Sequence, residues 1–163
     1  MKEQSLFKRI LSNFEEIIAG TFIMITTVLV VINVFLRYFM KTGLYWSEEV
    51  ATICFVWSVF IGAAASYKRG QHIGVDIIVN KLPKTIRNIV IILVDLILIL
   101  LNGYITYIGI IYISRSYIKP TAVLGISSAY VSSSLVIGFA LMTMYSIIFL
   151  VRDFKKIKEE NNA

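Results

Sequence analysis

Four long apolar blocks divide this chain. Ile17–Leu36 has no charge over 20 residues and Val50–Tyr67 none over 18. Asn88–Ser114 holds one charge, Asp95, in 27 residues, and Thr121–Val151 has none in 31. Crossing the roughly 30 Å hydrocarbon of a bilayer takes about 20 apolar residues at 1.5 Å each. Inside it the backbone amides must pair within their own segment, which selects helices. The alternation of a lipid-facing β-barrel is absent. The pattern predicts an all-α integral membrane protein, one membrane domain over 1–163 with spans at about 17–37, 47–67, 88–114 and 127–151. The fourth block exceeds one span, and its helix is expected to begin near Ser127 after an irregular segment containing Gly125.

Local signals sharpen the boundaries. Ser47 is placed to cap the second helix, and Glu48 and Glu49 then fall in its first turn, where the helix dipole favours negative charge. Pro83 and Pro120 sit in connections rather than helix interiors. Residues 3–15 place Leu6, Phe7, Ile10, Leu11 and Phe14 at helical spacing. They fit either a short amphipathic helix on the membrane surface or an extension of the first span. The first apolar run is longer than a signal-peptide core and has no small-residue cleavage site, so a cleaved leader is not expected.

Composition supports a membrane solvent. Hydrophobic residues make up 58% of the 163, above the 45–50% usual in soluble domains. The net charge of +6 does not point to nucleic acid, because the basic residues lie between the apolar blocks. Twelve of the sixteen fall at the amino end, in the second connection and at the carboxyl end. The positive-inside rule puts those segments, and so both termini, in the cytoplasm.

Candidate chemistry is sparse. Cys54 is alone and reads as a small core residue. His72 is the one histidine. A bis-histidine haem or a histidine-rich metal site within the chain is therefore not expected, and no cofactor is. His72 reads as a loop residue bonded to backbone or headgroups, or as a bond to Asp76 that fixes the second connection. Asp95 is an intramembrane acid and hence a functional candidate: a relay, a partner for a group on another helix or subunit, or a side chain reaching water. Arg37 ends the first span where Glu48 and Glu49 open the second, so a pair between them is expected. Ser58, Gly62 and Ser66, spaced by four, allow close helix approach in lipid, as do Ser134 and Gly138. Tyr38, Phe39, Tyr45, Trp46, Tyr67, Tyr112, Tyr117 and Tyr130 are placed as interfacial belt aromatics.

One stretch carries a longer signature. Asn33, Val34, Arg37, Tyr38 and Phe39 are followed by WSEEVATICFVWSVFIGAAASYKRGQHIGVD, Trp46 to Asp76. Together these resemble the small membrane subunit, the Q (DctQ-like) component, of tripartite ATP-independent periplasmic (TRAP) transporters. The family often has proline and tryptophan where this chain has Ser127, Ser128 and Ala129. The resemblance implies an inner-membrane, multi-pass, non-enzymatic subunit of a sodium-coupled importer of organic acids such as dicarboxylates or sialic acids. It implies two protein partners, a large membrane subunit that carries the solute and moves as an elevator, and an extracytoplasmic solute-binding protein. Arg37, Trp46, Glu48, Glu49, Gly70, His72 and Asp76 then become scaffold or interface positions. The residues alone also admit a small autonomous oligomeric transporter or channel, and an enzyme anchor subunit.

Overall fold

A computed structural model describes residues 13–69 and 83–162, leaving out the side chains of 84, 85 and 160–162. Four helices account for most of it: α1 (Phe14–Phe39), α2 (Tyr45–Arg69), α3 (Lys84–Ser116) and α4 (Ala129–Asn162). All four are long and apolar enough to cross a membrane. Gly70, His72, Asp76 and the amphipathic segment up to residue 12 lie outside the described residues.

The helices pack in the order α1–α2–α4–α3, each chiefly against its neighbour in that row. Contacts between α1 and α2 run antiparallel, from Thr26 near Ala51 to Ala19 near Ser58. Those between α2 and α4 run parallel, from Trp57 at Tyr130 to Tyr67 at Ser146. Those between α3 and α4 run antiparallel, with Gly103 beside Thr143 and Gly109 beside Val136. The starts of α1 and α3 and the ends of α2 and α4 therefore share one end of the row, the terminal end. The connections 40–44 and 117–128 form the other, the loop end.

An open row buries little. In the span windows of the flanking helices α1 and α3, 17% and 11% of residues are buried, against 28% for each of the central helices. The apolar core comprises Ala19 on α1, Ala51, Cys54, Ile61, Ala64 and Ala65 along α2, and Tyr145 and Phe149 on α4. In lipid there is no hydrophobic drive to associate, so close approach and interhelical hydrogen bonds must hold the row together.

Both loop-end connections are ordered by specific bonds. In 117–128, Pro120 and Ser127 form an antiparallel bridge, the Thr121 amide donates to Ile126 O at 2.7 Å and the Ser128 amide to Lys119 O at 2.9 Å. Gly125 supplies the left-handed turn this small hairpin needs, at φ +65°. At the start of α4, Ser127 Oγ accepts from the Ala129 amide at 3.2 Å and donates to Tyr117 O at 2.8 Å. Ser127 thus ties the start of α4 to the end of α3.

Candidate functional site: the helix braces and the loop-end clefts

Three sets of contacts tie α1, α2 and α4 together: one at the terminal end, one mid-row and one at the loop end. At the terminal end, Glu15 of α1 pairs with Lys68 of α2 at 3.2 Å and accepts a hydrogen bond from the Tyr145 hydroxyl of α4. The Lys68 ammonium also sits 5.4 Å from the Tyr145 ring centroid. Glu16 pairs with Arg69 beside it. One carboxylate therefore ties three helices. The sequence reading missed this clamp, because a polar amino end reads as solvated. The available signal was two acids in the first turn of one span and two bases in the last turn of its antiparallel neighbour.

Mid-row, Ser58 Oγ donates to Ala19 O at 2.9 Å, and a Cβ on Gly62 would meet Ala19 Cβ at 3.5 Å. Two members of the spaced-by-four stripe thus face α1. Ser66, the third, is exposed. The physical reason is drift: four residues advance 400°, so each step rotates the stripe by about 40°. Helix α4 approaches the backbone of α2 closely at Gly138, where a Cβ would lie 2.9 Å from both Phe60 Cβ and Phe60 O. Ser134, a turn earlier, is fully buried. Tyr67, expected in the aromatic belt, instead bonds Ser146 Oγ at 2.7 Å across α2 and α4. Tyr38, Tyr45, Trp46 and Tyr117 do stand exposed near the loop end.

At the loop end the expected pair of Arg37 with Glu48 or Glu49 does not form. Glu48 Oε1 accepts from Asn33 Nδ2 at 3.3 Å, and Asn33 Oδ1 accepts from the Leu44 amide at 2.9 Å. Glu49 Oε2 accepts from the amides of Val123 and Leu124 at 2.7 and 3.3 Å. The Asn33 side-chain amide for Glu48, and two backbone amides of the 117–128 connection for Glu49, thus take the roles expected of the guanidinium. Arg37 stays exposed and lines a cleft of about 360 Å³ with Lys41 and Glu48. Ser47 does not cap α2, which starts at Tyr45. Buried in the first turn, its hydroxyl donates to Leu44 O at 2.7 Å. Asn33, 9% exposed, staples the first connection to α1.

Asp95 is fully buried on α3, whose chief neighbour is α4, and so does not face lipid. Cys54 is a buried free thiol. Among the described residues no three His, Cys, Asp or Glu side chains gather as a metal site would need.

Comparison with known proteins places this architecture. The family model for the DctQ component of tripartite ATP-independent periplasmic transporters matches residues 26–156. The chain belongs to the DctQ family. Its relatives include the C4-dicarboxylate TRAP transporter small permease protein DctQ of Vibrio cholerae, 34% identical over 90 residues, covering 53% of this chain and 39% of the relative. The sialic acid TRAP transporter small permease protein SiaQ of the same organism is 26% identical over 114 residues, 70% of this chain and 66% of the relative. A third, the sialic acid TRAP transporter permease protein SiaT of Haemophilus influenzae, is 26% identical over 77 residues, 47% of this chain but 12% of the relative. The matches thus span under two thirds of each relative's own length. All three names are those of transporter permeases, not enzymes. Family and helices together make this DctQ chain a multi-pass protein of the bacterial inner membrane.

Proposed function

We propose that this chain is the scaffold subunit of a sodium-coupled TRAP importer of organic acids, of the dicarboxylate or sialic acid type. The large permease subunit carries the solute, and an extracytoplasmic binding protein delivers it. The observation that carries this reading is the open row: α1, α2 and α4 braced to one another by polar contacts, α3 packed against α4, and both flanking helices largely exposed. Such a row gives a mobile neighbour a stiff flank. The basic residues at the terminal end, Lys68, Arg69, Arg152, Lys155 and Lys156 among them, favour a cytoplasmic location for that end. The extent of the SiaT relative, of which this chain matches only a small part, supports a place beside a larger permease.

The test is reconstitution. Liposomes holding this chain together with a large TRAP permease and a solute-binding protein from the same host should accumulate a C4-dicarboxylate or sialic acid on a sodium gradient. Liposomes with this chain alone should not. Flux through the chain alone would favour an autonomous transporter and overturn the scaffold reading.

A further inference from the structure

At the loop end, Arg37, Lys41 and Glu48 line one cleft of about 360 Å³. Among the described residues neither cation is ion-paired to a carboxylate. Glu48 spends one oxygen on Asn33, leaving the other available. Two cations and an acid therefore face a common space without neutralising one another. Lys41 holds a backbone φ of +52°, which glycine or asparagine adopts with less strain. Its side chain, rather than backbone fit, is what the position offers.

The cleft continues into apolar surface. A recess of about 130 Å³ shares Asn33, Arg37 and Glu48 with it and adds Val30 and Val34. Those two valines also form one wall of a groove of about 400 Å³, whose other lining is Val31, Phe35, Tyr38 and Phe39. Val30 lies seven residues before Arg37, so the groove descends about 10 Å along α1 from the charged level. Phe35 and Phe39 stack along it at 4.4 Å between ring centroids.

Charge complementarity selects the occupant. A phosphodiester matches an arginine fork with a lysine beside it. The carboxylate opposite suits an ammonium and disfavours a second negative charge. The apolar groove suits an acyl chain. We infer that this cleft binds one phosphatidylethanolamine-type phospholipid. Its phosphate sits between Arg37 and Lys41, its ammonium at Glu48, and one chain lies along Val30–Phe39. The lipid wedges the first connection at the membrane surface. This goes beyond the scaffold role, and its test does not depend on transport.

The test is native mass spectrometry of the full-length chain, titrated with equimolar phosphatidylethanolamine and phosphatidylglycerol of matched chains. The wild type should retain one lipid and prefer phosphatidylethanolamine by about tenfold, the ratio that corresponds to 1.4 kcal/mol. Lys41→Asn suits the left-handed backbone, so it should weaken retention of both lipids without loss of helicity. Arg37→Gln should do the same. Glu48→Gln still accepts from Asn33 and should keep lipid binding while erasing the preference. Equal wild-type retention of the two lipids would overturn the inference. So would retention unchanged in Lys41→Asn and Arg37→Gln, or a preference that survives Glu48→Gln. Complete displacement of the lipid by soluble phosphoethanolamine at equal concentration would remove the acyl-groove part of the assignment.

Discussion

Glu49, just past the first turn of α2, accepts from the amide of Val123 at 2.7 Å, 74 residues further along the chain. The Leu124 amide shares the same oxygen. One carboxylate thereby docks the tip of the 117–128 hairpin onto the start of a different helix. Glu49→Ala should release that tip and leave the spans intact. Hydrogen–deuterium exchange checks this: the Val123 and Leu124 amides should exchange faster, on the order of tenfold, while amides within α2 and α4 keep their rates. Unchanged exchange at both amides would show that the hairpin needs no such anchor.

Two of the helix-packing glycines, Gly138 and Gly62, should respond differently to the same methyl group. At Gly138 an added Cβ meets Phe60 backbone at 2.9 Å, so α2 and α4 must separate. Gly138→Ala should lower stability by about 1–3 kcal/mol, as overpacking does. At Gly62 the Cβ finds Ala19 at ordinary contact distance. Gly62→Ala should be neutral or slightly stabilising, because alanine is the better helix former. Thermal denaturation of the two variants in the same detergent checks the contrast.

Glu15 should be the most sensitive of the surface acids. It serves Lys68 and Tyr145 together, whereas Glu16 serves Arg69 at a more exposed position. Glu15→Gln should destabilise the row by about 1–3 kcal/mol, the range for hydrogen bonds to charged groups. Glu16→Gln should change it by less than about 1 kcal/mol. Melting curves of both variants, with and without added salt, separate the two.

The bond between Tyr67 and Ser146 is suited to a double-mutant cycle. Tyr67→Phe, Ser146→Ala and the double variant should give a coupling of about 0.6 kcal/mol, with an upper limit near 1.7, as for hydrogen bonds between membrane helices. A coupling of zero would mean that this contact adds no cohesion between α2 and α4.

The spans were legible because their signal is one-dimensional: an apolar run of sufficient length bounded by charge. The small residues that mark close contact were legible too, through Gly138 and Gly62. Partner choice was not. Whether Arg37 or a loop amide would satisfy Glu49 depends on the hairpin returning over α2, and Gly125 alone does not encode that. Ser66 misled because a spacing of four drifts around the helix. Tyr67 misled because a tyrosine near a span end suits both a belt and an interhelical bond. The Glu15 clamp needed knowledge of which helices adjoin, since its members come from α1, α2 and α4.

The central claim is that these four helices act as a fixed flank for a moving permease. Double electron–electron resonance between spin labels on exposed positions of α1 and α3, such as Val31 and Leu100, tests it most directly. The measurement is made on the reconstituted complex with the large permease, with and without sodium and solute. The account predicts one distance distribution that does not shift between the two conditions. A displacement of several ångströms on adding sodium and solute would contradict it, because the row itself would then be part of the moving machinery.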